Sequence, residues 1–330
     1  MVWDTIYARD PGREGPIEEW GGISYALSAF DAVALEGWSL FPIVKVGADM
    51  RRPADRFLST LERIDSLQGV RTVPEPNNRV ELRYVDASRR CERLTGGVPG
   101  WEWAELEPLA MSCDALYVNF IAGWELDLPC ARRLRASFQG PLYADMHSLL
   151  LGVGPDGARI LRRPEAWREW LACFDLVQIN GDELNTLAEG WGDPWQLAAE
   201  VVGSSTRALL VTLGERGAAW VATAEFWRQT REGRFAAPPG SGRSRSRLER
   251  SPGTALSGLV EASHSVHGGD PTGCGDVWGV TCFSSLLGGF DLEGAMERAN
   301  GIAARNASFR GATGLAGALR SDSGIVLETE

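Results

Sequence analysis

Asp270-Pro271-Thr272-Gly273-Cys274-Gly275-Asp276 is the stretch on which the reading of this chain turns. Directly after it Val277, Val280, Phe283 and Leu287 recur at helical spacing, and Gly288-Gly289 stops the run. The small residues at 273–275 therefore stand where a helix begins. They present consecutive backbone N–H groups with the positive end of the helix dipole behind them, which is the local chemistry of an anion cradle. Asp276 falls in the first turn, beside whatever anion is held. A carboxylate there repels a phosphate unless it has a task, and taking a proton from an attacking hydroxyl is such a task. A tight glycine turn in which Asp276 only caps the helix explains the same residues without chemistry.

Outward from this point the chain alternates. Short apolar or β-branched runs at 40–46, 115–120, 142–144, 176–179 and 208–213 are separated by amphipathic stretches such as 55–67 and 164–172. That alternation predicts an α/β fold, a mostly parallel central sheet with helices on both faces. Residues 79–85 differ, because Val80, Leu82 and Tyr84 alternate with Arg79, Glu81 and Arg83, as in a half-exposed strand of a small side sheet. Asp291 can cap a second helix whose apolar stripe is Leu292, Ala295, Met296, Ala299, Ile302 and Ala303. Residues 229–258, rich in Gly, Ser and Arg from Pro238 to Arg247, predict a disordered loop, with a basic arm near a nucleotide as the alternative. No internal repeat is visible.

Composition excludes much. In 330 residues, 33 Lys plus Arg against 44 Asp plus Glu leave a formal charge of −11, which argues against nucleic acid or an anionic membrane as the main partner. No apolar run approaches the ~20 residues of a membrane helix. The single lysine, Lys45, is followed by Val46, so no Gly-Lys-Ser/Thr phosphate loop exists. Residues 42–45, Pro-Ile-Val-Lys, faintly echo a protein kinase, but no His-Arg-Asp or Asp-Phe-Gly follows. The six cysteines form no Cys-x-x-Cys pair and match no zinc spacing. With no secretory signal they read as reduced thiols of a cytoplasmic protein.

The segment from Asp270 to Asp276 resembles the second signature, Asp-x-x-Gly-Ala-Gly-Asp, of the ribokinase-like carbohydrate kinases, also called the phosphofructokinase-B family, with Cys274 in place of the usual Ala. Further segments fit in the same order. Gly21-Gly22 before a helical stretch looks like the first signature, and Val46-Gly47-Ala48-Asp49 like the Val-Gly-x-Asp that follows it. Asn180-Gly-Asp-Glu183 looks like the Asn-x-x-Glu motif, although Asn180 and Glu183 equally satisfy a capping box. The run 210–217, containing Thr212, Gly214 and Gly217, resembles the strand and turn beside the nucleotide, while its glycines also suit a plain hairpin. Ala299-Asn300 and Gly311-Ala312 resemble the end of the adenine pocket.

The resemblance spans nearly the whole chain and implies a single ribokinase-like three-layer domain over 1–330, with a small β-lid near 7–20 and 76–104. It implies transfer of the γ-phosphate of ATP to an alcohol of a sugar or nucleoside-like molecule, with Mg²⁺, and a homodimer formed through the lid. Residue by residue, Asp276 is the base, and Gly273, Cys274 and Gly275 hold the transferring phosphoryl group. Asp4, Gly21, Gly22 and Asp145 contact the acceptor. Asn180, Glu183, Thr212, Gly214, Gly217 and Asn300 serve the donor, with Glu183 at the metal. Ala26 departs from the pattern, because an acceptor-contacting Asn normally stands there, with Ser28 the small residue two further on. A non-catalytic sugar- or nucleotide-binding protein on the same fold is the alternative.

Three other features carry expectations. Gly152-Val-Gly-Pro-Asp-Gly157 satisfies a dinucleotide fingerprint, the basis of an oxidoreductase reading, but Pro155 and Pro164 leave no room for the helix it needs, so a turn is expected. His264, His267, Asp270 and Cys274 match no metal module, and His147 in Asp145-Met-His147 sits at an expected strand end, where ligands gather. Lastly, Met1 to Ile6 looks like the end of a first core strand, so the resemblance implies about 5–10 further residues upstream, a usual strand length.

Overall fold

The computed structural model of the chain describes residues 1–7, 16–84, 90–235, 255–262 and 269–321. β1 (Val2–Tyr7) and β2 (Ile17–Gly21) pair antiparallel and lead into α1 (Ile23–Val33). β3 (Val44–Gly47), α2 (Arg51–Leu58) and β4 (Val70–Val73) form a short parallel unit. β5 (Asn78–Tyr84) and β6 (Arg90–Thr95) complete a four-stranded sheet of order β2-β1-β5-β6. α3 (Trp103–Ala110), β7 (Leu116–Asn119), α4 (Leu128–Ser137) and β8 (Leu142–Asp145) follow. A hairpin of β9 (Leu151–Val153) and β10 (Arg159–Leu161) precedes α5 (Trp167–Leu171), β11 (Leu176–Asn180), α6 (Gly181–Leu187), α7 (Pro194–Ser204) and β12 (Ala208–Thr212). The chain closes with β13 (Ala218–Thr223), α8 (Ala224–Arg231), β14 (Ala255–Val260), α9 (Cys274–Leu287), α10 (Leu292–Ala307) and α11 (Leu315–Ser321).

The larger sheet has six strands in the order β14-β13-β12-β11-β8-β7. β7, β8, β11 and β12 are parallel, β13 runs against them, and β14, antiparallel to β13, runs with them again. Successive side chains on a strand point to opposite faces. Val177, Ile179, Leu209 and Val211 pack with Leu184 and Leu197 on one face, while Leu176, Ala208 and Leu210 pack with Phe283 and Leu286 on the other. Both faces are dry, and this is why the parallel strands read as unbroken apolar runs. In the small sheet Val80 and Leu82 are buried and Arg79, Glu81 and Arg83 are not, so 79–83 alternates as expected.

Several expectations need correction. The helix expected over 55–67 is α2, which starts at Arg51 and ends at Leu58. Downstream of it, Ile64 is drawn into a bridge with Leu40, which no helix permits. Of the loop expected over 229–258, residues 229–231 belong to α8, Phe235 is buried, and β14 begins at Ala255. Residues 236–254 lie outside the described residues, as do His264 and His267. The start of the chain is not in the central sheet, since β1 lies in the small one. Gly152–Gly157 is a hairpin turn, closed by Gly154 N–H donating to the Ala158 carbonyl at 2.8 Å, and no helix follows it. The oxidoreductase reading loses its only support.

Phe283 anchors α9 to the sheet. Its ring lies 5.2 Å from that of Tyr143 and 6.4 Å from those of Tyr117 and Phe235. Phe283→Ala is expected to cost about 3–5 kcal/mol in urea unfolding. A loss below about 1 kcal/mol would show that the site can refill.

Candidate active site

The register of the large sheet lines up polar residues at the carboxyl ends of its parallel strands. Asn119 of β7 lies opposite Asp145 of β8, Asp145 opposite Gln178 of β11, and Asn180 opposite Thr212 of β12. Carboxyl ends of parallel strands are where ligands gather in such sheets. α9 is pinned above this row. Gln178 Nε2 donates to the Gly275 carbonyl at 3.0 Å and to Asp145 Oδ2 at 3.3 Å, and Gln178 Oε1 accepts from the Tyr143 hydroxyl at 2.7 Å. A methyl group on Gly279 would sit 2.1 Å from Gln178 Oε1, so only glycine lets the helix come this near.

Asp276 is thereby held over β7, where Asn119 Nδ2 donates to its Oδ1 at 2.6 Å. Gly273 caps the helix in the left-handed region, at φ 75°, with the Tyr25 ring where a side chain would go. The amides of Gly273 and Gly275 have no acceptor among the described residues, as expected for a helix start. The Cys274 N–H turns back to the Pro271 carbonyl at 3.1 Å, closing the turn.

Tyr25 reports how the acidic groups converge. Its phenol is pushed far up, first by burial and then by the charges of Asp4, Asp270 and Asp276. Asp4 is buried in β1 against Gly21, where any side chain would overlap its carboxylate, and Gly22 turns at φ 54° against Ile121. Asp4, packed on Gly21, and Asp276 of α9 are thus both close enough to Tyr25 for their charges to act on its phenol.

The Asn-x-x-Glu motif does form its capping box. Asn180 Oδ1 accepts from Glu183 N–H at 2.9 Å, and Glu183 Oε2 accepts from Asn180 N–H at 2.8 Å. Glu183 Oε1 takes two more contacts, from Asn180 Nδ2 at 2.7 Å and His147 Nδ1 at 2.5 Å. This carboxylate, only 1% exposed, is spoken for on both oxygens. No group of three His, Cys, Asp or Glu side chains among the described residues converges to hold a metal. The residues present do not fit a Mg²⁺ ligated directly by Glu183.

Gly214 and Gly217 turn β12 into β13 at φ 61° and 91°, a true hairpin, and open space surrounds Gly214. Asn300 is hydrogen-bonded within the fold. Its amide accepts from the Trp278 indole at 2.7 Å and donates to the Val260 and Glu261 carbonyls at 3.1 and 3.3 Å, tying α9, α10 and the end of β14 together. Lys45 is excluded from chemistry, since its buried ammonium is bound by Glu105 and the Gly100 carbonyl over the Trp101 ring.

Asn119 and Gln178 were missed by motif reading. The available signal was a polar residue inside or ending an otherwise apolar strand, in Leu-Tyr-Val-Asn and Leu-Val-Gln-Ile-Asn. His147 contacts Glu183 through its ring, and its backbone N–H donates to Asp145 Oδ1 at 3.1 Å.

No known family pattern matches this sequence, and no curated protein matches it. Solved structures do. The chain is 15% identical to a pyrophosphate-dependent myo-inositol-1 kinase, covering 97% of this chain and 96% of that one at a TM-score of 0.67. Fructokinase from Xylella fastidiosa, solved with bound ATP, is 14% identical over 97% and 94% at 0.65. Burkholderia thailandensis nucleoside kinase, solved with inosine, is 16% identical over 96% and 90% at 0.63. At these identities the likeness shows the fold, which is ribokinase-like, as the sequence implied.

Asp145 carries a pH prediction. Burial first, and the Asp276 charge second, push its carboxyl up from 3.8 to about 8, against the opposing pull of His147. The folded protein then keeps a proton that the unfolded chain has lost above 3.8, so the contribution is full below that value and is lost as pH rises through about 8. Melting temperature is expected to fall between about pH 5 and pH 8, and Asp145→Asn to flatten that fall. Equal slopes for the two proteins would remove Asp145 as the cause.

Proposed function

We propose that this chain, with its ribokinase-like fold, is a phosphotransferase that moves a phosphoryl group to an alcohol of a sugar, nucleoside or cyclitol-like molecule. The observation that carries the reading is the placement of Asp276 in the first turn of α9, beside the Gly273 and Gly275 amides and hydrogen-bonded to Asn119. The acceptor occupies the space bordered by Asp4, Gly21 and Gly22. Its hydroxyl gives its proton to Asp276 as the new P–O bond forms and the donor's bridging P–O bond breaks. The two amides and the α9 dipole stabilise charge on the phosphoryl oxygens in place.

ATP is the proposed donor, lying along the β12–β13 turn by Thr212, Gly214 and Gly217. The ATP-bound fructokinase of the same fold supports this choice. Pyrophosphate is the second reading, because Asn300 has no amide atom left to offer a base and the myo-inositol kinase of the same fold is pyrophosphate-dependent. Mg²⁺ is proposed to enter with the donor's phosphates, since ions of this kind keep much of their water and lean on substrate oxygens.

The decisive assay offers ATP or pyrophosphate with panels of sugars, nucleosides and inositols, and reads phosphorylated product. Asp276→Asn is expected to lower turnover by about 10²–10⁴ with donor affinity little changed. Near-normal turnover in that variant, or binding without product on every acceptor, would favour the non-catalytic alternative.

Asn119 is a positioning residue in this reading. Its N–H bond favours the charged form of Asp276, so Asn119→Leu should raise the acid limb of the kcat/KM pH profile and lower kcat about tenfold. An unmoved acid limb would leave Asn119 only a packing role.

A further inference from the structure

His147 is a basic side chain that the reading above leaves without a task. It opens the short helical turn His147–Leu150 at the carboxyl end of β8. Its ring Nδ1 lies 2.5 Å from Glu183 Oε1, and the His147 side chain is 37% exposed where that of Glu183 is 1% exposed. Glu183 already accepts from the backbone N–H and the side-chain amide of Asn180, at 2.8 and 2.7 Å. A carboxylate that accepts at both oxygens accepts here too, which assigns the shared hydrogen to Nδ1. A buried carboxylate therefore holds a ring that keeps more than a third of its surface exposed.

The order of the strands places that ring. Along the carboxyl ends of the parallel strands, Asn119 of β7 is followed by Asp145 of β8, then by Asn180 of β11 and Thr212 of β12. Asp276 is bonded to Asn119 at one end of this row, and the β12–β13 turn stands at the other. Neighbouring strands are ~4.8 Å apart, so the segments after β8 and β11 occupy the middle. A donor laid from the β12–β13 turn to the α9 amides crosses that middle, one strand along from the transferring phosphoryl group. The charges there are coupled, since Asp276 and Glu183 push the Asp145 carboxyl up and His147 pulls it down. A second phosphate arriving among these carboxylates needs a cationic donor beside it.

We propose that His147, held by Glu183, binds the phosphate that leaves: the β-phosphate of ATP, or the phosphate released from pyrophosphate. This rests on the phosphotransferase reading of the site. Glu183 is a positioning residue that acts through the ring. With Nδ1 committed to Glu183, a neutral imidazole has only a lone pair at Nε2, so the contact is made by the charged ring, which a carboxylate neighbour favours. As the bridging P–O bond breaks, its electron pair stays on the leaving phosphate. The imidazolium N–H hydrogen-bonds that growing charge and keeps its own proton.

The test reads binding rather than turnover. Methylenediphosphonate, a pyrophosphate analogue with an uncleavable bridge, is titrated calorimetrically into the full chain and into His147→Gln and His147→Lys, at pH 6 and pH 9, with and without Mg²⁺. Gln keeps an N–H for Glu183, and equal melting temperatures check that the fold is retained. At pH 6 the wild-type chain should bind about tenfold tighter than His147→Gln, the size of one charge-assisted hydrogen bond. At pH 9, where imidazoles are neutral, the two should agree within about twofold. His147→Lys should keep the tight binding at both pH values, because an ammonium stays charged. Asp145 from β8, Glu183 from α6 and Asp276 from α9 are the titratable groups around the ring among the described residues, and β9 and β11, which also pack on this turn, contribute none. All three carboxyls, and the titrating diphosphonate, are common to the three chains, so the ratio of affinities isolates His147. Measurable but equal binding at pH 6 by the wild-type chain and His147→Gln would overturn the assignment of His147 alone. A difference seen only with Mg²⁺ would overturn it as well, since the ring would then act through the ion. A wild-type chain that binds no diphosphonate would remove the phosphate site, and the phosphotransferase reading would fall together with the proposal.

Discussion

The close approach of α9 to the carboxyl ends of β8 and β11 is the constraint on which the site depends. Gln178 enforces it by using one side-chain amide to grip the Gly275 carbonyl, Asp145 and the Tyr143 hydroxyl at once. The approach is possible because Gly279 has no side chain to meet Gln178 and because Gly273 turns the chain over the Tyr25 ring. From that one fixed contact follow the position of Asp276, its bond to Asn119 and the direction in which the first helical amides point. A longer side chain at 279 would lift the helix and disperse all three.

Fixing a helix start there gathers negative charge. Asp4, Asp145, Asp276 and Glu183 crowd a site in an acidic protein, with His147 the nearby counterweight. Buried carboxylates that repel one another are tolerated where one is kept neutral or a ligand relieves them. Asp145 takes the first course. Helix amides aimed at the same space favour an anion in spite of the carboxylates, and this tension is what a base poised beside a phosphoryl group requires.

Much of this was legible in the sequence, for identifiable reasons. Parallel strands buried on both faces write themselves as apolar runs, so 176–179 and 208–213 marked β11 and β12 to within a residue or so. The glycines at 273 and 275 and the apolar spacing after them marked the start of α9. Hydrogen-bond direction did not show. The turn of the Cys274 amide back to Pro271, and the three partners of the Asn300 amide on two other elements, have no signal in residue spacing. Asn180 and Glu183 form the capping box that was one of their two readings, with His147 an addition that no spacing announces. The departure of β1 from the central sheet was hidden because strand propensity says nothing about which sheet a strand joins.

The central claim is that α9 begins at a phosphoryl-binding point with Asp276 as its base. A structure of the protein with a planar metal-fluoride mimic of the transferring phosphoryl group, formed with ADP and again with phosphate as the leaving group, tests it most directly. The account places the fluoride within hydrogen-bond distance of the Gly273 and Gly275 amides, about 3 Å, with the Asp276 carboxylate on the side opposite the leaving group. A mimic bound away from α9, or one bound at α9 with the Asp276 carboxylate turned away from it, would contradict it.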